Sequence, residues 1–84
     1  MGLKLRLEWY DRKTEEGIGE EYSDDLREDF SVLGALDLPV ENNINNGGFN
    51  VRETWVAILQ PYFRHTFDIT AYDYQIAFDY RNAW

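Results

Sequence analysis

The chain has 84 residues, no cysteine and a formal net charge of −8. That is one domain's worth of chain, 1–84, with no disulfide or thiolate metal site to staple it. Its acidic balance argues against nucleic-acid binding, which needs a basic footprint. Such a small domain buries only about 60% of its unfolded surface. Three Trp, six Tyr and five Phe supply the large apolar area that this length otherwise lacks. No apolar run approaches the roughly 20 residues that cross a bilayer. The first residues alternate and form no signal-peptide core, so the sequence reads as cytoplasmic.

In chain order, Leu3, Leu5, Leu7 and Trp9 alternate with Lys4, Arg6 and Glu8. A period of two predicts a half-buried strand. Asp11 to Gly17 is polar and predicts a turn. Ile18 to Ser23 follows as a second strand, and Asp24 to Asp29 as a charged connection. Ser31 is placed as the N-cap of one or two helical turns over Val32–Leu36, which Pro39 ends. Glu41 to Gly48 holds four Asn and two Gly, residues that tolerate positive φ, and reads as a loop. Gly47 is expected to supply that φ and Gly48 to stand at the loop tip.

Asn50 and Glu53 have capping-box spacing, and Val51, Trp55, Ile58 and Leu59 share a helical face. A short helix is expected there, ended by Pro61. Thr66 to Thr70 and Asp73 to Tyr80 both alternate and predict a closing hairpin. With a hairpin at each end, the fold class is mainly β (α+β): a four-stranded antiparallel sheet with short helical segments.

Charge is unevenly placed. Residues 1–42 carry twelve acids against five bases, a net of −7, whereas 43–84 carry four against three. This suits a basic partner, although acidity also serves plain solubility. No catalytic constellation is evident. Glu20-Glu21 and Asp24-Asp25 lack the spacing of an oxygen-ligand loop and read as solvated charge. His65 is the only histidine, too few for an ordinary zinc site, and reads as structural. Gly47-Gly48 has no following Lys-Ser/Thr and is no phosphate loop. No metal or cofactor is expected, and no enzyme activity.

Ordered strings then carry a resemblance. Met1-Gly2-Leu3-Lys4-Leu5, Trp9-Tyr10-Asp11, Gly19-Glu20-Glu21-Tyr22-Ser23, Asn45-Asn46-Gly47, Leu59-Gln60-Pro61-Tyr62-Phe63 and Phe78-Asp79-Tyr80-Arg81 occur in sequence. With Trp55-Val56, Asp68-Ile69 and Trp84, they resemble the immunity proteins of cloacin and the ribosomal-RNase colicins. The resemblance spans essentially the whole chain.

It implies a non-catalytic inhibitor, made with the toxin and leaving the cell with it. Such an inhibitor binds the toxin's basic carboxy-terminal nuclease domain beside its catalytic cleft and obstructs access to the ribosome. It implies Tyr10 as a binding anchor, on the strand face opposite Trp9, with Glu8, Asp11 and Glu15 around it. It places partner selection at Gly48, with Phe49 beside it, and an aromatic contact or core position at Tyr74. The chain departs from members at Gly17, Phe30, Ala57 and Ala71-Tyr72, which points to a different or broadened cognate toxin or an engineered variant. The competing reading is an acidic nucleic-acid mimic or interaction module directed at another basic protein.

Overall fold

In the computed structural model, which describes residues 1–84, four antiparallel strands form one sheet in the order β2-β1-β4-β3. β1 is Gly2–Asp11, β2 is Gly17–Tyr22, β3 is Gly48–Asn50 and β4 is Tyr72–Arg81. Helix α1 is Ser31–Ala35. A second helical stretch runs through a 3-10 turn, Glu53–Trp55, then α2, Val56–Leu59, then another 3-10 turn, Gln60–Tyr62.

β1 and β4 pair along their whole length, from Gly2↔Arg81 to Asp11↔Tyr72. The period of two therefore matches Leu5 to Phe78, Leu7 to Ile76 and Trp9 to Tyr74 on one face. Leu3, Leu5, Leu7, Ile76 and Phe78 are fully buried there. Val32, Leu33 and Leu36 from the first helix and Trp55, Leu59 and Phe63 from the second stretch complete the cluster. Fully burying each of these side chains contributes roughly 1.5–3 kcal/mol. Both helical elements lie on this face, so the other face is left open.

Several local expectations are corrected. The predicted hairpin strand over 66–70 does not form. Its backbone is satisfied by side chains instead: Phe67 N–H donates to Gln60 Oε1 at 2.9 Å and Thr70 N–H to Asp68 Oδ1 at 3.1 Å. The fourth strand is β3, which adds to β4 through Phe49↔Ile76 and its neighbours. Asn50 lies in that strand and accepts from Gln75 Nε2, so it caps no helix. Gly48, too, is a strand residue rather than a loop tip.

Pro61 does not end the helical stretch, because it sits in the first turn of the last 3-10 segment, where its missing N–H costs nothing. Ser31 is the first residue of α1 rather than its cap, and its N–H is taken by Asp29 Oδ1 at 3.0 Å. That helix ends before Pro39. Asp37 turns left-handed at φ 59°, and Leu38 N–H reaches back to Leu33 O at 2.8 Å. This is a Schellman closure with Asp where glycine is usual.

One close approach closes the end of the core. A Cβ on Gly19 would lie 2.3 Å from the Trp9 ring, so the indole crosses β2 where there is no side chain. Beyond it the indole stacks on His65, with centroids 3.9 Å apart. His65 Nε2 and the Tyr74 hydroxyl share a hydrogen bond of 2.7 Å, and that hydroxyl accepts Asp68 N–H at 2.8 Å. Glu21 accepts the backbone N–H groups of Arg64 and His65 at 2.7 and 2.9 Å. The segment after Phe63 is thus held to the sheet without a ladder.

This predicts opposite outcomes for one substitution at two glycines. Gly19→Ala forces the indole off its seat and should cost about 1–3 kcal/mol. Gly34 lies within α1 with open space around it, so Gly34→Ala should gain about 0.5–1 kcal/mol. Each kcal/mol moves the melting temperature by about 4–8 °C in a domain of this size. Melting curves that shift in the same direction for both variants would contradict this packing.

Candidate partner-binding face

The face of the sheet turned away from the helices is built by the alternate residues of each strand. β1 contributes Lys4, Arg6, Glu8 and Tyr10. Their cross-strand partners are Asp79, Ala77, Gln75 and Asp73 on β4, and Tyr22 and Glu20 on β2 lie opposite Arg6 and Glu8. β3 adds Gly48 beside Ala77 and Asn50 beside Gln75. Glu8, Glu20, Asp73 and Asp79 thus outnumber Lys4, Arg6 and Arg81 on this surface.

Arg6 organises the centre. Its Nη1 meets Asp79 Oδ2 at 3.1 Å, and its Nε lies 3.4 Å from Glu8 Oε1. Two carboxylates share one guanidinium, which leaves Glu20 opposite Glu8 as a like-charge pair. Directly opposed like charges destabilise a sheet. Tyr10 donates its hydroxyl to Glu8 Oε2 at 2.9 Å, and this bond to the carboxylate pushes the phenol pKa up. A bulge between Trp9 and Tyr10 brings Tyr10 opposite Gly17. With only a hydrogen on Gly17, the half-buried ring is not walled in.

At the rim, Asp11 accepts the N–H groups of Lys13 at 2.8 Å and Thr14 at 3.0 Å, and these backbone bonds hold its carboxyl below the usual range. Its carboxylate shapes the turn. Glu15 stands next, left-handed at φ 60°. Hydrogen bonding to Asp73 and then the like charge of that carboxylate raise its pKa. Arg12 Nε bridges to Asp73 at 3.2 Å and offsets part of this. Between them opens a cleft of about 330 Å³ lined by Glu15, Asn50, Val51, Asp73, Tyr74 and Gln75.

Of the positions expected to meet a partner, the sheet brings Glu8, Tyr10 and Gly48 onto one surface, with Glu15 and Asp11 at its edge. Tyr10 does oppose Trp9, as the alternation predicts. Gly47 carries the positive φ, 82°, and Gly48 does not. Phe49 and Tyr74 face the covered side. Phe49 is half-buried with its ring 5.9 Å from that of Phe78, and Tyr74 is 4% exposed, lining this cleft and a neighbouring one beside Tyr72. Period two puts each beside the open-face residue rather than on that face. Tyr22, Asp73, Gln75 and Asp79 are not expected on this face from sequence, and Glu20 reads there only as solvated charge. Only the strand register reveals them, although the polar half of the β4 alternation was a usable signal.

No three of these acids converge as metal ligands, and no helix is long and apolar enough to cross a membrane. The Glu15–Asp73 contact has a definite pH signature. A raised pKa means that ionised Glu15 is disfavoured in the folded chain. That cost is present above the folded pKa and vanishes when the carboxyl is protonated, below the unfolded value. Glu15→Gln should therefore raise the melting temperature at neutral pH and leave it unchanged in acid. An equal gain at both pH values would place the effect elsewhere.

This open sheet face carries more acids than bases, together with the half-buried Tyr10 hydrogen-bonded to Glu8. Comparison with known families bears on this directly, since residues 2–81 match the family described as cloacin immunity protein. The chain belongs to the cloacin immunity protein family, whose members are non-enzymatic inhibitors of cloacin-type toxins.

Proposed function

We propose that the open sheet face binds the basic carboxy-terminal ribosomal-RNase domain of a colicin- or cloacin-type toxin, beside the catalytic cleft, and denies it the ribosome. The observation that carries this reading is the excess of acid on that face and at its rim. Glu8 opposes Glu20, and Glu15 lies against Asp73, so each pair is better satisfied when a partner's Lys or Arg settles between its carboxylates. Inhibition then needs no chemistry from this chain, only residence over the toxin's cleft. Protection takes place in the cytoplasm of the producing cell, and the inhibitor leaves with the toxin.

Glu8 and Tyr10 form the binding centre in this reading, with Glu15 at its rim and Asp11 holding the turn that presents Glu15. Gly48 contributes to partner choice. Its φ lies outside the left-handed region, and an added Cβ would come 3.0 Å from Gln75 Oε1, the mobile end of a side chain. A side chain at 48 requires the Gln75 amide, which donates to Asn50, to shift, and its absence leaves the approach to β3 unobstructed.

The direct test is protein synthesis in a cell-free extract poisoned with such a nuclease domain. Near-equimolar chain should restore it. Association should slow markedly as salt rises, because the Debye length falls from about 10 Å at 0.1 M to about 3 Å at 1 M, while dissociation changes less. Failure to rescue against every member of that toxin class would defeat the proposal.

Tyr10→Ala should weaken binding by about 2 kcal/mol or more, as an anchor does, while changing stability by less than about 0.5 kcal/mol. Titration calorimetry and melting curves on one protein preparation read both quantities. A loss of stability matching the loss of binding would assign Tyr10 to folding instead.

A further inference from the structure

We infer that Asn46 is a built-in site of spontaneous deamidation, an ageing reaction that alters the junction between the Asn-rich loop and β3. The reaction needs a backbone nitrogen free to attack the side-chain carbonyl of the preceding asparagine, and room to reach it. Of the six asparagines, only Asn46 precedes glycine. Gly47 lies outside every helix and strand, its N–H donates no hydrogen bond, and the space where its Cβ would stand is empty. Its φ of 82° already places this peptide in a conformation that side-chain-bearing residues resist.

Asn45 and Asn50 are held by the sheet, and neither precedes glycine. Asn45 holds the Tyr80 backbone at both ends of its amide, Oδ1 accepting Tyr80 N–H at 2.8 Å and Nδ2 donating to Tyr80 O at 3.0 Å. Asn50 is engaged by Gln75, and its successor Val51 gives its N–H to Tyr74 O at 3.0 Å. The Asn46 carboxamide holds only a local contact, from Nδ2 to Asn42 O.

The chemistry balances with water alone. Hydroxide removes the Gly47 amide proton, and the nitrogen attacks Asn46 Cγ. The C–N bond to the side-chain amine breaks, and ammonia leaves. The resulting cyclic imide is opened by water at either carbonyl, giving aspartate or isoaspartate. Either product adds a negative charge, and isoaspartate also lengthens the main chain by one methylene. That extra length falls between the Asn45 latch on β4 and Gly48 at the start of β3, so the two attachments no longer match. The consequence for toxin binding rests on the proposed function; the reaction itself does not.

The test ages the whole native protein in warm, mildly alkaline buffer and maps its peptides by mass. A gain of about one dalton should arise at Asn46 before any other asparagine, faster at higher pH, and not in Asn46→Gln. An intact Asn46 in the native chain, while the urea-unfolded chain is modified there, overturns the inference, as does earlier modification elsewhere. Aged wild type should then bind the toxin nuclease domain about tenfold more weakly than fresh protein, with Asn46→Gln unaffected by the same ageing. Equal binding before and after modification overturns the functional consequence. Fresh protein that binds no such domain overturns the proposed function and leaves the mass result standing.

Discussion

The register between β1 and β4 is the constraint on which everything else rests. Because side chains alternate, fixing Leu5 against Phe78 and Leu7 against Ile76 also fixes Arg6 against Ala77 and Glu8 against Gln75. A slip of one residue would bury Arg6 and Glu8 and expose the leucines. The core and the acidic face are therefore two readings of one alignment. The helices have a single apolar surface to cover, and by covering it they define the surface left for a partner.

That exposed surface is kept at a cost in internal harmony. Glu8 faces Glu20, and Glu15 faces Asp73, while Arg6 and Arg12 each divide their attention among acids. A sheet tuned only for its own stability would alternate charge signs across its strands. Here the core makes the compensation: aromatic and aliphatic side chains fill the covered face, and the Trp9–His65 stack closes its end. Stability and recognition are assigned to opposite sides of the same four strands, so a change on one side disturbs the other little unless it touches a turn.

Much of this was legible in the sequence, for identifiable reasons. The alternation of Leu3 to Trp9 is a local signal with one interpretation, and it gave the first strand and its inward face. The Asn- and Gly-rich stretch marked a loop whose left-handed residues include Asn42, Asn45 and Gly47. Misplacements occurred where tertiary partners decide. Phe67 and Ile69 alternate as a strand would, but Gln60 and Asp68 supply hydrogen bonds to their stretch that no local pattern encodes. β3 is only three residues long and has no periodicity to detect. Asn50 has the spacing of a cap yet serves as a cross-strand partner. Phe49 and Tyr74 drew attention as aromatics, but their orientation follows from pairing with β4 and β1. The acids Glu20, Asp73 and Asp79 gained significance only once the register placed them together.

The strand order has a consequence for how the chain comes into being. β1 and β4 stand at opposite ends of the element order, yet theirs is the longest pairing, while β2 offers β1 a shorter edge. Leu3, Leu5 and Leu7 therefore have no complete core to enter until Ile76 and Phe78 are brought against them. Contacts of such sequence separation make folding slow relative to local helical folds.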